Sequence, residues 1–290
     1  MTNMYDVFEK AKANHVSLSP LSFLPRVAKI FPDRMAVVYE NRKYTWEQFY
    51  NRCKRLASSL KKQGVKKGDT VSVMAANTPE MIEAHYGIAM IGAVLNSINI
   101  RLDSETIAYI LEHSEAKMLI TDTGFSPTIK NALSILNKKD LIVVDIIDKQ
   151  SNSDKTTLGK LNYEELLSTG SDDFDWSLPE DEWDALSLNY TSGTTGNPKG
   201  VVYHHRGGYL MATGSVTAWN MPNRLNFLYT VPMFHCNGWC YPWTLAMLHA
   251  RVICIRNIRA KEIFELISEH KITHFGGAPI ILNMLANAPK

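Results

Sequence analysis

The chain has 290 residues, 45% hydrophobic and 21% charged, with a formal net charge of +2, a composition that provides for a buried core and gives no footing for a nucleic-acid or anionic-membrane partner. Cys53, Cys236, Cys240 and Cys254 are its only cysteines; without a secretory leader ahead of them they do not suggest a disulfide framework, and a reducing cytoplasm is the expected setting. Apolar runs such as Leu141–Ile147 are too short to span a bilayer.

From Ala36 to Asp145, short β-branched runs alternate with longer amphipathic stretches, the pattern of βαβ units in a largely parallel sheet. Strands are expected at Ala36–Tyr39, Thr70–Met74, Lys117–Thr121 and Leu141–Asp145. Thr45 and Gln48 have capping-box spacing, and Gly64 can end that helix in a left-handed conformation. Lys61 to Lys67 reads as its solvated end. Pro79, after Thr78, opens a second helix, and a third starts at Ser104 with Ile107, Ile110 and Leu111 on one face. Residues 148–161 turn polar and read as a surface connection. The acids between Ser171 and Asp184 have no basic residue among them, yet lack the alternating ligands and central glycine of a calcium loop, so a solvated loop is expected.

Strands resume at Ala185–Tyr190, Val201–Tyr203, Asn226–Val231, Arg251–Ile255 and Ile272–Phe275, with a helix at Ala260–His270 that places Ile263, Phe264, Leu266 and Ile267 together. The expected fold is α/β, with layered, largely parallel sheets flanked by helices. Residues 1–184 would form a first α/β subdomain with its surface linker, and residues 185–290 a second that carries a phosphate loop.

That loop is Tyr190-Thr191-Ser192-Gly193-Thr194-Thr195-Gly196-Asn197-Pro198-Lys199-Gly200, set between two expected strands. Its glycines allow backbone N–H groups to converge on one point, and the hydroxyls of Thr191, Ser192, Thr194 and Thr195 add rotatable donors there. Lys199 adds a compact positive charge. A flexible surface loop is the plain alternative. A Walker A loop needs Gly-Lys-Ser/Thr, whereas Lys199 lies between Pro198 and Gly200; a Gly-x-Gly-x-x-Gly dinucleotide fingerprint is also missing.

The segment Tyr190–Gly200 resembles the signature phosphate loop of the adenylate-forming superfamily, in its acyl-CoA synthetase branch. The resemblance continues through Leu60–Met74, Val231–His235 and His274–Pro279, and so covers essentially the whole chain. It implies the fold of the N-terminal part of the large domain of such enzymes. It also implies an ATP-dependent carboxylic acid:CoA ligase that uses ATP with Mg2+, an acid and CoA, forming acyl-AMP and then acyl-CoA. By resemblance, Thr191, Ser192, Gly193, Thr194, Thr195, Gly196 and Lys199 bind the ATP phosphates, and Lys199 and His235 are catalytic. His235, Gly238, Trp239 and Gly277 then line the acyl pocket, for a short- or medium-chain acid. A core histidine beside packed aromatics is the plain reading of His235, and a tight strand-to-helix turn is an equally good account of Gly277-Ala278-Pro279. A zinc site from His235, Cys236, Cys240 and Cys254 lacks paired spacing.

The resemblance further implies that the family's ribose-binding aspartate, its Tyr-Gly-x-Thr-Glu element and its mobile C-terminal domain lie outside these residues, so that the isolated chain would be incomplete for catalysis. A noncatalytic domain that binds nucleotide or an acyl group or serves as an oligomerising scaffold, and an amino-acid adenylation domain, are the competing expectations. The latter calls for an acidic group near Phe234–Trp239, where the sequence has none.

Overall fold

The computed structural model describes residues 9–136, 138, 140–151, 156–191 and 197–289. In chain order the elements are α1 (Phe23–Ile30), β1 (Met35–Tyr39), β2 (Arg42–Thr45), α2 (Trp46–Lys62), β3 (Thr70–Met74), α3 (Pro79–Gly87), β4 (Val94–Ser97), α4 (Ser104–His113), β5 (Met118–Asp122), α5 (Ser126–Ile135) and β6 (Ile142–Ile146). There follow β7 (Leu161–Asn162), α6 (Tyr163–Ser168), β8 (Ala185–Thr191), β9 (Lys199–His204), α7 (His205–Ala218), β10 (Asn226–Tyr229), α8 (Tyr241–Met247), β11 (Arg251–Cys254), α9 (Ala260–His270), β12 (His274–Phe275) and α10 (Pro279–Ala286).

Local chemistry sets several of these boundaries. Thr45 Oγ1 accepts from the Gln48 amide at 3.3 Å while the Thr45 amide donates to Gln48 Oε1 at 2.9 Å, the reciprocal capping box expected at the start of α2. The helix stops at Gly64, whose φ of +85° lets the Val65 amide return to the Leu60 carbonyl. Helix α4 begins at Ser104 as expected, capped by Asp103, whose carboxylate accepts from the Thr106 amide at 2.9 Å.

The strands form two sheets, ordered β12-β10-β11-β1-β2 and β7-β6-β5-β3-β4-β8-β9, parallel throughout except for the hairpins β1/β2 and β8/β9. Because side chains alternate across a strand, each sheet feeds two apolar layers. Val37, Phe227 and Val252 of the five-stranded sheet, and Val71, Val73 and Met118 of the seven-stranded one, turn toward α2 and α3 in a shared central core. Val38, Leu228 and Ile253 face α9 and α10 on the outer side, and Met74 and Leu119 face α4 and α5. The result is five layers, helices alternating with sheets.

Both sheets draw strands from either side of residue 184: β1 pairs with β11 and β4 pairs with β8. The expected division into residues 1–184 and 185–290 therefore follows neither sheet, and hydrophobic patterning carries no information about which strand a given strand will join.

The sheets are also tied by charge. Arg256, just beyond β11, contacts Asp122 at the end of β5 and Asp148 beyond β6, and Asp148 accepts from the Tyr39 hydroxyl of β1 at 2.6 Å. All three charged side chains are at most 10% exposed. Asp148, expected to open a surface connection, is a buried member of this lock. The acidic stretch is a loop as expected, and it is paired too, through Arg55–Asp172, Lys67–Asp184 and Arg206–Glu182.

Candidate active site

The site is built on the hairpin β8/β9. Its register sets Thr191 opposite Lys199 and Tyr190 opposite Gly200, so two of the expected phosphate ligands face each other across the base of the loop. β9 begins at Lys199 itself, two residues before the expected strand, because antiparallel pairing with β8 extends the ladder to the loop's edge. The expected ligands Ser192, Gly193, Thr194, Thr195 and Gly196 lie outside the described residues. Lys199 is exposed. On the stem, the Tyr190 hydroxyl bonds His113 Nδ1 at 2.7 Å, and burial pushes the phenol up to about 12, so it stays protonated.

The second part follows β10, which ends at Tyr229 rather than Val231 as Thr230 and Pro232 turn the chain away. Residues Cys236 to Cys240 then have φ values of +46, +41, +55, +63 and +59°, a left-handed helical turn in which only Gly238 is free of a Cβ. A left-handed turn disposes its side chains differently from an α-helix. Asn237 and Gly238 are buried, while His235 and Trp239 are exposed, Trp239 at 44%. The Cys236 thiol stands 3.8 Å from His235 Nε2 and 3.9 Å from Nδ1. Trp239, Cys236 and Cys240 form one wall of a recess of about 390 Å³, closed by Tyr203 of β9 and Met211 of α7. Its lining is mainly apolar, and burial pushes the Tyr203 hydroxyl and the Cys240 thiol up to about 12 each, so both are neutral.

The structure therefore brings three expected residues, His235, Gly238 and Trp239, into one turn beside this recess. Gly277 lies elsewhere, in the turn between β12 and α10. That turn is joined to the same loop, because the Thr230 hydroxyl donates to the Gly276 carbonyl. The cysteines are all unpaired, and Cys254 is buried in β11. Among the described residues no group of three His, Cys, Asp or Glu side chains is placed to hold a metal ion.

Sequence reading missed the residues that hold the site together. Asn77 donates to the Tyr229 and Val231 carbonyls at 2.8 and 2.9 Å and accepts from the Met233 amide at 2.9 Å, clamping the loop that leads to His235. Asn189 donates to Asn237 at 2.5 Å, and Ser187 donates to the same Asn237 oxygen at 2.9 Å. An asparagine inside an apolar strand that enters a glycine loop, and an Asn-Gly pair after a histidine, were the available signals.

Comparison with known proteins decides the family. The model for "AMP-binding enzyme" matches residues 24–290. The chain belongs to the AMP-binding enzyme family. It is 43% identical over 295 residues to an acetate/butyrate–CoA ligase, peroxisomal, of Arabidopsis thaliana, covering 98% of this chain and 52% of that protein. It is 42% identical to a 2-methylpropanoate–CoA ligase of Humulus lupulus, covering 96% and 51%. Among solved structures, the Mycobacterium tuberculosis fatty acyl CoA synthetase superposes with a TM-score of 0.79 at 27% identity, over 93% of this chain and 51% of that one. This AMP-binding chain thus spans about half the length of the curated relatives it matches. Among the described residues no helix is long and apolar enough to cross a membrane.

Proposed function

We propose that this chain is the nucleotide- and acid-binding half of an ATP-dependent carboxylic acid:CoA ligase, which condenses an acid with ATP to acyl-AMP and then transfers the acyl group to CoA. The observation that carries the reading is that the hairpin stem bearing Thr191 and Lys199 and the turn bearing His235 share one buried hydrogen-bond network beside an apolar recess. Adenylation places negative charge on departing pyrophosphate. Hydroxyls and amides of Thr191 to Gly196, with the Lys199 ammonium, would stabilise that charge, with magnesium entering as the counter-ion of ATP. His235 would lie at the acid's carboxylate and Trp239 along its chain, with Gly277 leaving room for backbone approach; Gly238 serves the turn instead, its open side filled by the Tyr229 hydroxyl.

The mainly apolar lining of the recess suits an acid with an apolar tail. Among the described residues its lining includes no carboxylate, the group that an amino-acid substrate's ammonium would call for. Relatives named for acetate/butyrate, 2-methylpropanoate and trans-cinnamate support a short-chain or aromatic acid. Free thiols suit a reducing compartment, and both cytoplasm and peroxisome qualify, since three relatives are named peroxisomal. The alternative reading is a nucleotide- or acyl-binding domain without turnover.

Mass spectrometry of this chain, and of a version continued to the relatives' full length, with ATP, magnesium and a panel of acids, separates the two. Acyl-AMP from the long version, with or without the short one, supports the ligase; acyl-AMP from neither with any acid rejects it.

A further inference from the structure

A non-glycine residue with positive φ is uncommon, and a run of them persists only where the surroundings over-determine it. Around Cys236–Cys240 those surroundings are polar and buried. Asn189 Oδ1 accepts from Ser97 Oγ at 2.9 Å, its Nδ2 donates to Asn237 Oδ1 at 2.5 Å, and Ser187 Oγ donates to that same oxygen at 2.9 Å. Ser97 Oγ also lies 3.2 Å from the Phe234 carbonyl, next to His235. Ser187 and Asn237 are fully buried, and Ser97 and Asn189 are no more than 6% exposed.

Each end of this chain of bonds is placed where it matters. Asn189 stands two residues before Thr191, on the same face of β8, so a shift at the loop's entry moves it. Asn237 stands two residues after His235, inside the turn that displays His235 and Trp239. Hydrogen bonds in a dry interior are stiff and directional. We propose that the Asn189–Asn237 bridge is the positioning device of the site: it fixes His235 and Trp239 against the hairpin stem of Thr191 and Lys199, so that nucleotide in the phosphate loop is felt at the His235 ring. Neither amide touches a reacting group; both act through the backbone of their neighbours. The inference rests on the phosphate-binding reading of the loop given above.

The test follows the His235 ring C–H signals by NMR, assigned with His235→Gln, as ATP and magnesium are added, with calorimetry reporting ATP affinity on the same samples. The wild-type chain should show an ATP-dependent shift of His235. Asn189→Ala and Asn237→Ala, confirmed folded by circular dichroism, should bind ATP within about fivefold of wild type and lose the shift. Ser187→Ala removes one bond to Asn237 but leaves the bridge, and should keep it. ATP binding with a shift that survives both asparagine variants overturns the inference, as does wild-type binding that leaves His235 silent; either result spares the nucleotide reading. A wild-type chain that fails to bind ATP removes the nucleotide reading and the inference together. Should Asn237→Ala not fold, Asn189→Ala decides.

Discussion

The Tyr229 hydroxyl donates to the Gly238 carbonyl at 2.9 Å, and a Cβ on Gly238 would stand 2.2 Å from that same hydroxyl oxygen. The left-handed turn is thus pinned from below by a group that leaves space for hydrogen alone. Gly238→Ala adds the clash to the cost of φ +55° for an L-residue, and should destabilise the fold by roughly 3 kcal/mol. Tyr229→Phe loses only the hydrogen bond, at about 1 kcal/mol. Since Phe removes the clashing atom, Gly238→Ala with Tyr229→Phe should be more stable than Gly238→Ala alone. Urea melts of the four proteins check this, and strict additivity would reject the contact as the cause.

Replacing Lys199 probes the other half of the site. In a version continued to the relatives' length, Lys199→Ala should slow acid-dependent pyrophosphate exchange by about 10²-fold while acid binding changes little, because the ammonium acts on charge that develops during transfer. Unaltered exchange would remove Lys199 from the mechanism.

Loss of Arg256 leaves the carboxylates of Asp122 and Asp148 buried without their cation, 0% and 4% exposed. Arg256→Ala should therefore lower unfolding stability by about 3–5 kcal/mol. Chemical denaturation measures it, and a loss below about 1 kcal/mol would mean that the two sheets do not depend on this lock.

Burial pushes the imidazoles of His85 and His205 down to about 4, the latter against the pull of Asp184. His85 Nδ1 bonds the Met81 carbonyl at 2.7 Å, and the ring packs against Trp243. Both rings are neutral in the fold and regain a pKa near ~6.5 when unfolded. The unfolded chain therefore binds more protons between about pH 4 and 6.5, and stability falls as pH drops through that window, by up to ~1.4 kcal/mol per pH unit for each ring. Melting curves from pH 7 to 5 should show this, with a shallower slope in His85→Leu; an identical slope would exclude His85.

Much of the architecture was legible because its causes are local. The Thr45/Gln48 box, Gly64 and Pro79 each bound a helix by chemistry contained in a few residues, and the β-branched runs at Thr70–Met74 and Ala185–Tyr190 are strands as expected. Strands β2 and β4 escaped notice: Arg42–Thr45 is short and polar, and Val94–Ser97 ends in Asn96 and Ser97, whose burial depends on partners distant in sequence. At the site, Thr191, Lys199, His235 and Trp239 stood out by residue type, whereas the left-handed turn did not. Cys-Asn-Gly-Trp-Cys contains one glycine for five positive φ angles, and Ser187, Asn189 and Tyr229, which enforce the rest, arrive from other strands.

Strand β1 lies between β2 and β11, with Val37 abreast of Val252. On a ribosome, β1 emerges early and has only its hairpin mate to pair with until β11 follows. At the usual pace of ~5–20 residues per second that interval lasts on the order of ten to forty seconds. Throughout it an apolar edge, Ala36 to Tyr39, is open to wrong partners, so the nascent chain should be a client of holding chaperones during synthesis.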